Sequence, residues 1–87
     1  MQVNINEVSD IGKIIDIRSE LEFRKKNIPG SINISRNNLL RNPDKYMNQF
    51  DTYYLLCSKG HTSLSTCKIL NALGYNCYSI IGGIDAL

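Results

Sequence analysis

The chain reads as an α/β protein built on a small, largely parallel sheet. Three observations predict this. Apolar runs alternate with amphipathic ones along the whole length. The stretch Tyr53-Tyr54-Leu55-Leu56-Cys57-Ser58-Lys59-Gly60-His61-Thr62-Ser63 reads as an apolar strand, a cysteine, a short polar loop and then a helix. A second apolar run follows that helix, and strand, loop, helix, strand is the βαβ unit that joins parallel neighbours.

Each element has its own local signal. Val3 to Ile5 suits a short edge strand. A turn at Asp10-Ile11-Gly12 leads into the strand Lys13-Ile14-Ile15-Asp16-Ile17, whose unbroken apolar character implies burial on both faces. Ser19 is placed to cap a helix, with Glu22 three residues on to complete a capping box. That helix should end near Asn27, because Pro29-Gly30 breaks it. Ser31 to Ile34 alternates like a short strand, and Asn37 to Arg41 suggests a helical turn with Leu39 and Leu40 inward. Pro43 begins another turn. Thr52 to Leu56 is the expected central strand. Thr62 to Leu73 is the strongest helix, with Leu64, Cys67, Leu70 and Leu73 as its expected buried stripe and Gly74 as its stop. Cys77 to Ile81 forms the last strand, and Gly82-Gly83 ends it before a short terminal segment.

Length and composition narrow the function. With 87 residues, the chain is read as one domain spanning 1–87 with a thin core. A net charge of +2, with Arg24-Lys25-Lys26 as the only basic run, argues against nucleic acid. No apolar run approaches the roughly 20 residues of a membrane span, and the first residues do not resemble a signal peptide, so a cytoplasmic location is expected. The 3 cysteines are odd in number and form no C-x-x-C pair, which argues against a disulfide scaffold. With 1 histidine, an all-protein metal site is not expected.

Cys57 is the candidate catalytic residue. It lies where a strand ends and a helix begins, so backbone N–H groups converge on its sulfur and favour a thiolate there. The surrounding loop, Ser58, Lys59, Gly60, His61, Thr62 and Ser63, would bind substrate, its N–H groups cradling an anion without any side chain. Gly60 suits a positive φ or a close approach. Lys59 either steers anions or is a solvated loop lysine. His61 suggests a Cys–His dyad, but four residues along a tight loop its ring is expected to point outward. Thr62 and Ser63 are helix-start hydroxyls able to cap N–H groups or touch substrate. Asp16 and Arg18, at a strand end, are expected to form a supporting ion pair beside the loop. Cys67 and Cys77 read as small buried hydrophobes.

In order and spacing, these landmarks resemble the rhodanese (sulfurtransferase) family. Ile15-Asp16-Ile17-Arg18 with Glu22-Phe23 is similar to that family's opening strand and helix. Ile28-Pro29-Gly30-Ser31-Ile32-Asn33-Ile34 resembles its I-P-G-A-I-N-I segment, Cys57 with Gly60 and Ser63 its active-site loop, and Gly74-Tyr75 and Gly82-Gly83-Ile84 its closing landmarks. The resemblance implies a rhodanese-like open parallel sheet flanked by helices and a sulfurtransferase activity. Cys57 would carry sulfane sulfur as a persulfide, and no metal or organic cofactor is implied. The donor would be a small sulfur anion such as thiosulfate or a low-molecular-weight persulfide; the acceptor would be a thiol, cyanide or a protein.

Some positions depart from the family pattern. Asn27 stands where histidine is common, and Ser58 and Thr62 stand where the loop often has arginines. Gly60 and Thr62 are similar to the mercaptopyruvate branch. The missing loop arginines leave room for a second class, a weakly active or non-catalytic module that docks a partner. A phosphatase-type C-x5-R loop is disfavoured, because Ser63 stands where its oxyanion-gripping arginine would be.

Overall fold

The structure, a computed structural model, describes residues 1–87. Five strands, β1 (Gln2–Val3), β2 (Ile14–Asp16), β3 (Ile32–Asn33), β4 (Thr52–Leu56) and β5 (Asn76–Ile80), form one sheet in the order β1-β5-β4-β2-β3. Every pairing is parallel. Three helices connect them: α1 (Glu20–Lys25), α2 (Arg36–Arg41) and α3 (His61–Ala72). Single 3-10 turns cover Ile5–Glu7, Ile11–Lys13, Pro43–Lys45 and Ile84–Ala86.

β4 is the central strand. Leu55 lies opposite Ile15 of β2 on one side and Ser79 of β5 on the other. Alternation along β4 divides the core. Tyr53, Leu55 and Cys57 pack with Leu39 of α2 and with Cys67 and Leu70 of α3. Tyr54 and Leu56 pack with Ile14, Ile80 and Ile84. This second face is covered thinly, by Val3, Ile5, Val8 and Ile28, and α1 buries none of its own residues. A chain of this length has little left to build a second full helical layer.

The helices begin and end where local chemistry directs. Ser19 Oγ accepts the Glu22 N–H at 3.2 Å, and the Glu22 carboxylate accepts the Ser19 N–H, closing the capping box. α1 stops at Lys25, two residues before the expected end. At the end of α3, Tyr75 N–H bonds the Leu70 carbonyl and Gly74 N–H the Asn71 carbonyl, a Schellman closure.

The buried stripe of α3 differs from the expectation. Its inward residues are Ser63, Thr66, Cys67 and Leu70, while Leu64 is half-buried and Leu73 is 53% exposed. A strict spacing of three falls behind a helix of 3.6 residues per turn, so a stripe drawn that way walks off the core by its last member. The two hydroxyl residues can be buried because each is bonded. Thr66 Oγ1 donates to the Thr62 carbonyl and accepts from Arg36, and Ser63 belongs to a buried cluster described below.

Two alanine variants distinguish these faces. Leu70→Ala should lower unfolding stability by about 2–5 kcal/mol, the usual range for a large-to-small core change. Leu73→Ala should stay within about 0.5 kcal/mol of wild type. Urea unfolding of both variants checks the assignment, and equal losses would contradict it.

Candidate active site

Cys57 follows the last residue of β4, at the carboxyl end of the sheet, where open parallel sheets place their sites. Its Sγ accepts the Gly60 N–H at 3.1 Å and the Ser63 N–H at 3.2 Å, with the Ser63 hydroxyl also 3.2 Å away. The loop can curl this tightly because Gly60 adopts φ +94°. A side chain there would also meet the Gly82 nitrogen at 3.0 Å.

The C-terminal turn fixes the loop from behind. Ile84 N–H donates to the Cys57 carbonyl and Asp85 N–H to the Ser58 carbonyl, each at 2.9 Å. Both peptides are trans, so the N–H of Ser58 and of Lys59 must point the opposite way from these anchored carbonyls. The N–H groups of Ser58, Lys59, His61 and Thr62 donate to no protein atom, and all four residues line the cavity in front of Cys57. The tether requires Gly83: a Cβ there would lie 2.4 Å from both the Cys57 and Ser58 carbonyl oxygens.

The cavity holds about 510 Å³. Its walls mix signs, with Arg18 and Lys59 cationic and Glu22 anionic. Asp16 is fully buried and grips Arg18 in fork fashion, Nε to Oδ1 at 3.0 Å and Nη2 to Oδ2 at 2.8 Å. Asp16 Oδ1 also accepts the Arg18 N–H, and Arg18 Nη2 donates to the Lys26 carbonyl. The bond to Asp16 raises the Arg18 pKa above its ordinary value, against the opposing effect of desolvation. Asn33 of β3 braces this corner by donating to the carbonyls of both Asp16 and Arg18.

The expected loop residues therefore surround one sulfur in different ways. Gly60 and Ser63 reach it directly. His61 is exposed, lines the cavity and makes no hydrogen bond to Cys57. Lys59 and Thr62 are exposed at the rim. Ser63 differs from the expectation in its hydroxyl, which is fully buried and caps no backbone N–H. Cys67 and Cys77 are buried free thiols. The Cys77 thiol beside it, and burial, push the Cys67 thiol far above the ordinary cysteine range, which suits an inert core residue.

Four contributors were not singled out from sequence: Asn33, Ser79, the wall role of Glu22 and the clamping contact of Gly83. Glu22 was visible as a cap, Gly83 as a breaker and Asn33 only as a member of the Ile28 to Ile34 segment; Ser79 carried no local signal.

A family model described as a rhodanese-like domain matches residues 2–87. The chain belongs to the rhodanese-like domain family. Its fold is that of solved rhodanese-like proteins. A protein of Staphylococcus saprophyticus subsp. saprophyticus is 30% identical and superposes with a TM-score of 0.82, over 94% of this chain and 80% of that one. An NAD-dependent persulfide reductase from A. fulgidus is 26% identical with a TM-score of 0.72, over 95% of this chain and 15% of that one. A tRNA sulfurtransferase of Pyrobaculum aerophilum is 28% identical over 78 residues, 90% of this chain and 16% of the relative. This rhodanese-like chain thus spans about a sixth of that curated relative, and the likeness is to a sulfur-transfer family. No helix is long and apolar enough to cross a membrane.

Gly83→Ala tests the clamp. The new methyl should push the turn off the loop and slow alkylation of Cys57 by iodoacetamide on the order of tenfold to a hundredfold, as small displacements at a reacting atom do. Gly74→Ala, at the far end of α3, should lower the melting temperature but leave the alkylation rate unchanged. Equal alkylation rates in both variants would show that the clamp does not shape the loop.

Proposed function

We propose that this domain is a sulfurtransferase that carries sulfane sulfur as a persulfide on Cys57. The observation that carries the reading is the backbone cup: two N–H groups on Sγ, and four more without protein acceptors on residues that line the adjoining cavity. Such a cup favours a thiolate, and beyond it the extra negative sulfur of a persulfide. The kinship with proteins named tRNA sulfurtransferase and persulfide reductase supports the same chemistry.

The cycle has two displacements. The Cys57 thiolate attacks the outer sulfur of the donor. A bond forms from Sγ to that sulfur as its old S–S bond breaks, and the electron pair leaves on sulfite or on the donor thiolate. An acceptor thiolate or cyanide then attacks the terminal sulfur, and Cys57 leaves again as thiolate. No external oxidant or reductant is consumed. Asp16 supports the site by holding Arg18 at the wall. Thiosulfate or a low-molecular-weight persulfide serves as donor, and the acceptor is a thiol, cyanide or a protein. A reducing compartment such as the cytoplasm suits the three free thiols.

A second reading, a slow or non-catalytic module that docks a partner, is favoured by Ser58 and Thr62 standing where arginines would add charge. Intact mass separates the two. Wild type should gain one sulfur atom on exposure to thiosulfate or glutathione persulfide and lose it to cyanide, while Cys57→Ser should gain none and remain folded. Loading on Cys67 or Cys77 instead would overturn the assignment.

Lys59→Ala should raise the KM for thiosulfate more than it lowers kcat, because an exposed cation steers a dianion to the rim while the backbone holds the developing charge. Kinetics at two ionic strengths checks this. An unchanged KM with unchanged salt dependence would point to a neutral or protein-bound donor.

A further inference from the structure

Behind the cup lies a second layer that the proposed cycle does not yet use. Ser79, on β5, is fully buried. Its Oγ lies 2.6 Å from Ser63 Oγ and 3.3 Å from the Gly60 carbonyl oxygen. Ser63 Oγ in turn lies 3.2 Å from Cys57 Sγ and 3.3 Å from the same carbonyl. Two hydroxyls therefore form a chain from the core strand to the sulfur, with one carbonyl that either can use.

The possible donors and acceptors make this chain directional. Each hydroxyl has one proton to give and two lone pairs to receive with. When Cys57 is a thiol, S–H can donate to Ser63, and both hydroxyls can donate to the Gly60 carbonyl or to each other. When the sulfur is a thiolate, it only accepts. Ser63 must then turn its O–H toward Sγ, or its oxygen faces the anion lone pair to lone pair. Once turned, Ser63 Oγ can accept, and the Ser79 hydroxyl is the donor within reach. No proton is transferred along the chain; only the two O–H bonds rotate.

We propose that Ser79 is a positioning residue for Cys57, acting through Ser63 to turn a third donor onto the sulfur whenever it is anionic. The proposal rests on Cys57 being the reacting sulfur. Its thiolate occurs twice per turnover, as the attacking group and as the leaving group, so both half-reactions depend on the chain. The titratable side chains around the sulfur, Arg18, Glu22, Lys59 and His61, line the open side, while Asp85 sits on the clamping turn. Ser63 and Ser79 are buried and lie outside that cavity wall. A polarised hydroxyl chain strengthens the bond it ends on, which is how a residue without contact to Sγ can affect it.

Alkylation of Cys57 by iodoacetamide at pH 7 reads the thiolate without any sulfur donor, so it stands apart from the test of sulfur transfer itself. Ser79→Ala should slow alkylation by about threefold to tenfold and lower the thiolate absorbance in the ultraviolet. In a Ser63→Ala background, the same change should have almost no further effect, because the link to sulfur is already cut. Ser79→Thr and Ser79→Val form a shape-matched pair, so packing is controlled even if Ser79→Ala folds poorly. The threonine variant should react faster than the valine variant. Equal rates for threonine and valine, or an undiminished effect of Ser79→Ala in the Ser63→Ala background, would overturn the proposal. Wild type that alkylates at Cys57 but never loads sulfur would instead defeat the sulfurtransferase reading and leave this one standing.

Discussion

The two hydrogen bonds from Gly60 and Ser63 N–H to the Cys57 sulfur organise the rest of the site. They require a loop that reverses within three residues, and therefore the positive φ of Gly60. They require the loop carbonyls to face elsewhere, and the N–H groups of Ile84 and Asp85 take them. That in turn requires a turn close enough to touch, which Gly83 permits. Two backbone hydrogen bonds on one atom fix its position more firmly than a single exposed cation at the rim could. The cup is made of main chain. Replacing the loop arginines by Ser58 and Thr62 leaves it intact.

The Asp16–Arg18 pair is a separate constraint with its own energetics. Burying two charges is unfavourable, and their attraction offsets it only with good geometry and satisfied neighbours. Here the fork is complete, Asp16 also accepts the Arg18 N–H, and Asn33 secures the adjoining carbonyls. Removing one partner of such a pair typically costs about 3–5 kcal/mol. The guanidinium is therefore fixed at the cavity wall, unlike Lys59, which is exposed and makes no salt bridge.

Much of this was legible in the sequence because it is local. The Ser19–Glu22 capping box, the strand that ends at Cys57 and the glycine at the third loop position are all patterns within a few positions. What was not legible depends on what lies across a gap. Leu73 looks like core by a spacing of three, yet the repeat of 3.6 residues per turn carries it off the buried face, and it is exposed. Ser63 looks like a helix cap, but its hydroxyl turns inward because Ser79 waits on β5, and only strand register brings position 79 beside position 63. Gly82-Gly83 reads as a strand breaker. Its contact with the Cys57 carbonyl needs the crossover that sets β5 next to β4.

The cup and the cavity walls are built from different parts, and this separates two properties. In the proposed cycle, whether sulfur can be held would depend on backbone direction, set by glycines and a tether, and on the two buried hydroxyls of the proposed chain. In the same proposal, which molecule brings or removes it would depend on side chains at the rim, of which Arg18 is locked, while Lys59, His61 and Glu22 are exposed. A small sulfur anion needs only the cup and one steering cation. A persulfide on an amino acid or peptide carries both an ammonium and carboxylates, and a wall with both signs can pair with each of them. Exchange of these exposed residues should retune donor and acceptor choice without disturbing the sulfur's own surroundings, because none of them contributes a hydrogen bond to the Cys57 sulfur.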